Sequence, residues 1–189
     1  MIRLVFSTLV LSLFVGLSGG QDLPKKIRGY KVHTIKIHVT ANPDDAAAGS
    51  DASVHLSEPK IVEAGLTGVT FETAAEVRGI PQSGEIDLLS FKDILVNGIP
   101  VDVPDYEHPF TIKKNEAIKL PVPLRGSVGA LNMAKAGYME YSSSKPEWRV
   151  TGTVFVFGRF KKFGMTFKRV IPVPIDLKIK DPVPALLGQ

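Results

Sequence analysis

In YKVHTIKIHVTA, Tyr30 to Ala41, the apolar Ile35, Ile37 and Val39 alternate with Lys36, His38 and Thr40. A period of two places the apolar set on one face, so a half-buried strand is predicted here. The next segment, NPDDAAAGSDAS from Asn42 to Ser53, is acidic, small and Pro-bearing, which reads as a surface linker. From there to Asp181, short β-type runs follow one another between turn residues. VHLSEPKIVEAGL leads into GVTFETAAEVRG, where Val69, Phe71, Thr73 and Ala75 share one face of a continuous strand. IDLLSFKDILV ends at Asn97 and Gly98, a two-residue pair that favours a tight hairpin turn. FTIKK, AIKLPVPL, WRVTGTVFVFG and MTFKRVIPVPIDLKI complete the series. Prolines 121, 123, 172 and 174 cannot donate to a ladder, so the runs that hold them are expected at edges or bulges.

A helical period occurs in RGSVGALNMAKAGY, Arg125 to Tyr138. Val128, Leu131, Ala134 and Tyr138 fall on one helical face there, Ser127 is placed to cap the start, and Gly137 lies near the end. About seven short strands and one short helix in a single core predict an all-β chain, an antiparallel β-sandwich with a helix in one crossover. Trp148 opens the run WRVTGTVFVFG, where it is expected to anchor the sandwich end with its rings buried and its N–H bonded.

The amino terminus changes the compartment. Arg3 is followed by the apolar run Leu4 to Leu17 and then by Ser-Gly-Gly, the pattern of a secretory signal cleaved after Gly20. The run is shorter than the roughly 20 residues that cross a bilayer, so no stable membrane span is expected once it is removed. The chain is then expected to be secreted or periplasmic. It has no Cys, which excludes disulfides, thiol catalysis and zinc–thiolate sites. Its organisation reads as a signal peptide over 1–20, an N-terminal strand and acidic linker over 21–53, one sandwich domain over 54–182 and a tail over 183–189. Removing the signal takes away Arg3 alone among the charges, so the net charge falls from +4 to +3. Nucleic-acid binders carry a stronger and more clustered basic excess, so no specific nucleic-acid partner is expected.

Between Pro59 and Ile179 the order and spacing of several segments carry a resemblance. They are GLTGVTFETAAEV, the LLSFKDILVNGIPV strand and hairpin, FTIKKNEAIKLPVPL, a short helix, WRVTGTVFVFG and a final VIPVPIDLKI. The chain resembles the type 2 late-embryogenesis-abundant domain, also called the water-stress and hypersensitive-response domain. The Asn-Pro-Asn-like turn usual in that family is replaced by RGIPQSG, which keeps only Pro81. The resemblance implies an immunoglobulin- or fibronectin-III-like sandwich linked to desiccation and stress tolerance. It implies no catalytic set. No cofactor is expected, and the partners considered are client proteins or anionic surfaces.

The residues themselves carry no strong catalytic or metal signature. His33, His38, His55 and His108 are the only imidazoles, and no pair has the helical spacing of a metallohydrolase. Asp44, Asp45 and Asp51 lack the alternating oxygen pattern of a calcium loop, and Asp102, Asp105 and Glu107 lie in a Pro-bearing loop. A G-x-S-x-G elbow and a phosphate-binding glycine loop are both missing from the sequence. No catalytic, cofactor or metal residue is therefore assigned.

One stretch suggests a contact surface. FGRFKKFGMTFKR, Phe157 to Arg169, mixes aromatic and basic residues, and GRFKKFG reads as the loop between the last two strands. Phe160 and Phe163 either fold back to cap the sandwich or stay exposed. If exposed, they enter an anionic membrane or polysaccharide surface while Arg159, Lys161 and Lys162 pair with its charges. Amino-terminal sequencing of the exported protein is expected to read from Gln21; a retained Met1 would remove the signal-peptide reading.

Overall fold

The computed structural model describes residues 23–34, 39–40, 52–80, 82–143, 147–162 and 164–180. Residues 1–20, residues 42–51 of the predicted acidic linker and the tail from 183 lie outside the described residues, whereas the last two linker residues, Ala52 and buried Ser53, belong to a strand and not to a surface linker. The elements in chain order begin with β1 Lys26–Ile27, β2 Tyr30–Val32, β3 Val39–Thr40, β4 Ala52–Leu56, β5 Lys60–Gly65, β6 Gly68–Thr73 and β7 Ala75–Arg78. There follow β8 Gly84–Val96, β9 Ile99–Pro100, β10 Phe110–Ile112, β11 Ile118–Lys119, β12 Leu124–Gly129, α1 Ala130–Ser143, β13 Glu147–Lys162 and β14 Met165–Lys180. The chain is all-β and sandwich-like with one short helix, as the spacing of its strands and turns predicts.

A large sheet runs in the order β1-β2-β14-β13-β8-β10, with β9 also paired to β8. Two smaller sheets, β11-β7-β4-β3 and β12-β6-β5, accompany it. The buried core joins Ile86, Leu89, Tyr106, Ile112, Phe160, Ile171 and Val173. Against it pack half-buried Val39, Ile118 and Leu124 from the smaller sheets, so one face of the large sheet is covered by strands.

β8 reaches this core through a bulge. Ile86 and Leu89 are three residues apart and would face opposite sides of a regular strand. The register on β13 shifts between Phe157, opposite Leu88, and Gly158, opposite Ile86, so Asp87 is an extra residue and both apolar side chains can share a face. A second shift separates Thr151 from Thr153. There a Cβ on Gly152, whose φ is +150°, would lie 2.5 Å from Ile94 Cδ1 and 3.0 Å from Asp93 O. Glycine is what allows β8 to bulge against β13 at that point.

Several expectations are corrected by pairing. The strand predicted over Tyr30–Ala41 is divided: β2 pairs in parallel with β14, and β3 pairs in parallel with β4, so the sheets are not wholly antiparallel. The run GVTFETAAEV is not one strand either. It changes sheet at Ala74, where its N–H donates to Ser57 Oγ at 2.9 Å and its carbonyl accepts the Ser57 N–H at 2.9 Å. Those bonds satisfy the backbone where the ladder breaks. With such divisions the described residues form fourteen strands rather than about seven.

The predicted helix starts later than expected. Arg125 to Gly129 lies within β12, paired throughout with β6, and Ser127 lies opposite Thr70 instead of capping a helix. Gly126 explains the preference for sheet: a Cβ there would come 2.7 Å from Cζ of Phe71 on the neighbouring strand. The turn at Asn97–Gly98 is as predicted, with φ of 50° and 77° at its two residues. Pro172 and Pro174 lie in β14 beyond Arg169–Val170, the part that pairs with β2, and so sit where that side of the strand is free of this partner. Pro121 and Pro123 lie between β11 and β12, outside any strand.

Trp148 sits opposite Ile179 and is half-buried. Its Nε1 is buried without a hydrogen-bond partner among the described residues, contrary to the bonded indole expected.

Phe160 lies in β13, not in a loop, and keeps 7% of its surface exposed. Replacing a ring buried this way costs transfer energy plus a cavity, so Phe160→Ala is expected to destabilise by roughly 3–5 kcal/mol. Chemical unfolding measures it; an unchanged midpoint would return the ring to the surface.

Candidate functional site

The most organised polar cluster lies on the face of the large sheet opposite the core. Phe157 shares its face of β13 with Arg159 and Lys161, away from Phe160, and is fully buried there, opposite fully buried Val170. The β1–β2 turn at Arg28 and Gly29, with φ of 50° and 83°, carries two side chains over it. The Tyr30 ring meets the Phe157 ring edge-on at 5.3 Å, and the Arg28 guanidinium stands 5.7 Å from its centroid.

The polar ends of these groups close on acids. The Tyr30 hydroxyl donates to Asp87 Oδ2 at 3.0 Å, while Arg159 donates to Asp87 Oδ1 through Nε at 3.1 Å and Nη2 at 2.8 Å. Arg159 Nη2 also lies 3.0 Å from Glu85 Oε1. Arg28 pairs with Asp105 Oδ2 at 2.6 Å, and Lys168 Nζ stands 5.9 Å from the Tyr30 ring centroid. Asp87 is the bulge residue of β8, so the irregularity that aligns the core also supplies the acceptor for β2 and β13.

Charge states follow from these partners. Burial, then the hydrogen bond to Asp87, raises the Tyr30 pKa above its ordinary value. A hydrogen bond from Ser90, with Arg28 beside it, lowers that of Asp105, and the Asp87 carboxylate raises that of Arg159. Glu76, bonded to Arg78, and Asp176, bonded to Arg149, are likewise lowered. Each of these shifts moves the group away from neutral pH. The bonds to Asp87 thus fasten three strands, and none of the shifted groups of the cluster is tuned as an acid or base near neutrality.

The five residues proposed from sequence as a surface tip are not brought together as a loop. β13 runs through Lys162 and β14 begins at Met165, opposite it. Strand alternation puts Arg159 and Lys161 on one face and Phe160 on the other, in the core. Arg159 is half-buried and engaged with Asp87 and Glu85. Lys161 is exposed, with its backbone N–H on Ser83 O at 3.2 Å. Lys162 ends the strand, and Phe163 lies outside the described residues.

The other candidates are dispersed. His33, His55 and His108 are exposed, and His108 stands edge-on to Tyr106 at 5.2 Å. His38, Asp44, Asp45 and Asp51 lie outside the described residues. Asp102 bridges to Ser127 through its backbone, Asp105 is paired with Arg28, and Glu107 is exposed. Among the described residues, no group of three or more His, Asp or Glu side chains is placed to hold a metal ion. Sequence reading missed the Tyr30–Asp87–Arg159 network. Its signal was the acidic pair Glu85 and Asp87 near the end of a strand that meets a basic one, but the register needed to join them depends on the bulge.

No protein-family model matches the chain, and no curated protein matches it. Among solved structures it is similar to one described as the crystal structure of a protein from Archaeoglobus fulgidus. That match has 15% identity and a TM-score of 0.37, covering 68% of this chain and 95% of the other.

A raised tyrosine pKa has a defined consequence for stability. Below about pH 10 Tyr30 is neutral whether folded or unfolded, and its contribution is fully present. Above that the unfolded chain loses the proton first, so stability falls as pH rises through the folded pKa. Tyr30→Phe is expected to cost about 1 kcal/mol at pH 8 through loss of the bond to Asp87. It should also unfold with a shallower alkaline decline than the parent. Parallel pH dependences of the two unfolding midpoints between pH 8 and 11 would count against the linkage.

Proposed function

We propose that this chain is an exported, non-enzymatic stress-protection or accessory domain of the type 2 late-embryogenesis-abundant kind, acting on client proteins during water loss. The observation that carries the reading is the correspondence between the resembling segments and the paired elements. GVTFETAAEV supplies β6 and β7, LLSFKDILVNGIPV supplies most of β8 and all of β9, FTIKK begins with β10, and the last two segments supply most of β13 and β14. The strand segments that carry the resemblance thus supply much of the sheet framework, and the short helix among them corresponds to α1. The polar network on the outer face supports the same reading, because its donors and acceptors are used to fasten strands.

A second reading, contact with an anionic membrane or polysaccharide through residues 158–164, rests on Lys161 of the five residues named for it, together with Met165. Lys161 and Met165 are exposed beside that turn, whereas Phe160 is in the core.

The protective reading is tested by drying a labile enzyme with and without the purified protein. Recovered activity is expected to rise with the amount of protein added and to exceed that given by an equal mass of an unrelated β-sandwich protein. Equal recovery with the two would remove the reading.

A further inference from the structure

We infer that the protein meets a lipid surface with the end of the fold formed by the β5–β6 turn and α1. The Leu66 side chain, at the tip of that hairpin, is 100% exposed. The Ala130 N–H donates to the Thr67 carbonyl at 2.9 Å, fixing the start of α1 against the same tip. The next helical residue, Leu131, is 88% exposed. One turn on is Lys135, and two turns on is Tyr138, 73% exposed. Residues spaced by four and seven share a helix face.

This face is the reverse of the one sequence periodicity expects to be buried. Asn132, Ala136 and Met139 are the half-buried positions of α1, while Leu131, Ala134 and Tyr138 look outward. An outward face of Leu, Lys and Tyr beside a protruding Leu has the composition of an interfacial element, with apolar groups to insert, a cation for headgroup phosphates and a phenol for the boundary. Lys135 is the charge on that face. Lys60 and Glu63 stand farther back along β5, and Arg125 is paired with Glu72 at 2.7 Å, so the leading charge is positive.

The shape selects the occupant. Side chains as exposed as Leu66 and Leu131 are knobs, not walls of a groove, and a knob needs a deformable apolar phase to enter. The other edge strand of this sheet, β12, is bridged at Ser127 to Asp102, so an extended peptide is left the edge of β5. That edge follows Pro59 and is interrupted by the register shift between Ile61 and Glu63, features that obstruct added strands. A second copy needs about 800 Å² of fitted surface on each partner. A few separated knobs do not supply it.

The β13–β14 turn offers an internal control. It lies by Gly84, which pairs with Phe160, whereas α1 packs by β9 at the other end of β8. The test measures binding of the exported protein to vesicles of phosphatidylcholine with and without phosphatidylglycerol. Leu66→Ser with Leu131→Ser is expected to weaken binding at least about tenfold at every salt concentration, because both changes remove apolar insertion. Lys135→Ser is expected to weaken binding only to the anionic vesicles and mainly at low salt. Lys161→Ser with Met165→Ser, the residues on which the second reading above rests, tests the opposite end as the alternative contact and should bind as the parent does. Unfolding midpoints of all variants should match the parent, since the replaced side chains are exposed.

Failure of the parent to bind either vesicle overturns the inference. So does a double leucine variant that binds normally, or loss of binding in the opposite-end variant. The drying assay run on the double leucine variant separates the two proposals: protection without vesicle binding leaves the protective reading intact. Lost protection with no vesicle binding by the parent would assign the leucines to client protein and overturn the lipid assignment.

Discussion

The ladder between β13 and β14 sets the position of nearly everything else. Each strand has 16 residues, and their pairing runs from Glu147 opposite Lys180 to Lys162 opposite Met165. β8 adds to the far side of β13, and the ribbon is apolar on both faces. Phe160, Ile171 and Val173 enter the core, while Phe157 and Val170 are buried on the reverse. Each fully buried side chain of this size contributes roughly 1.5–3 kcal/mol by leaving water. The exposed ion pairs around the ribbon contribute little beside that, because solvent screens them. A slip of one residue would exchange the two faces and put Arg159 and Lys161 into the core, so the register is fixed by the cost of burying those charges.

The bulge at Asp87 couples the two faces of this ribbon. It lets Ile86 and Leu89 enter the same core, and it gives the opposite face a carboxylate that binds Tyr30 and Arg159. Removing the extra residue would therefore disturb both sides together. The β1–β2 hairpin depends on that carboxylate and on Phe157, so its attachment is a consequence of how β8 meets β13. This is why a stretch that looks in sequence like an aromatic and basic loop is structural: Phe157, Arg159 and Phe160 each hold one layer to another.

The sheet framework was legible because it rests on local signals. Alternation marked the strands from Val69 onward, Asn97–Gly98 marked a turn, and Pro172 and Pro174 marked an incompletely paired strand. What was not legible depended on partners distant in sequence. Gly126 belongs to a strand because Phe71 lies over it, and Ala74 ends a strand because Ser57 supplies its hydrogen bonds. The tip was misread since Gly158 and Gly164 looked like the two ends of a loop. Gly158 is instead a point of close approach, where a Cβ would lie 2.7 Å from Glu85 O. The polar network was hidden for the same reason, because a one-residue bulge decides which acid faces Arg159.

The two ends of the large sheet use their apolar residues in opposite ways. Near Gly84, the Phe160 ring, for which the sequence left capping and exposure both open, is drawn inward by strands that continue to the turn. Near β9, a helix begins as soon as β12 ends, and its first turn is tied to the β5–β6 tip by one backbone hydrogen bond. That tie fixes the helix start, and the half-buried set Asn132, Ala136 and Met139 orients its inner face. Leu131 and Tyr138 are left outside as a geometric result of that orientation. Rotating α1 to bury them would bring Lys135, about 40° from Leu131 on the helix, toward the sheet as well. Burying an unpaired ammonium costs more than burying two apolar side chains gains, so the observed face is the stable one. The exposed leucines are thus compatible with a well-determined fold, and the surface they form is free to serve a contact.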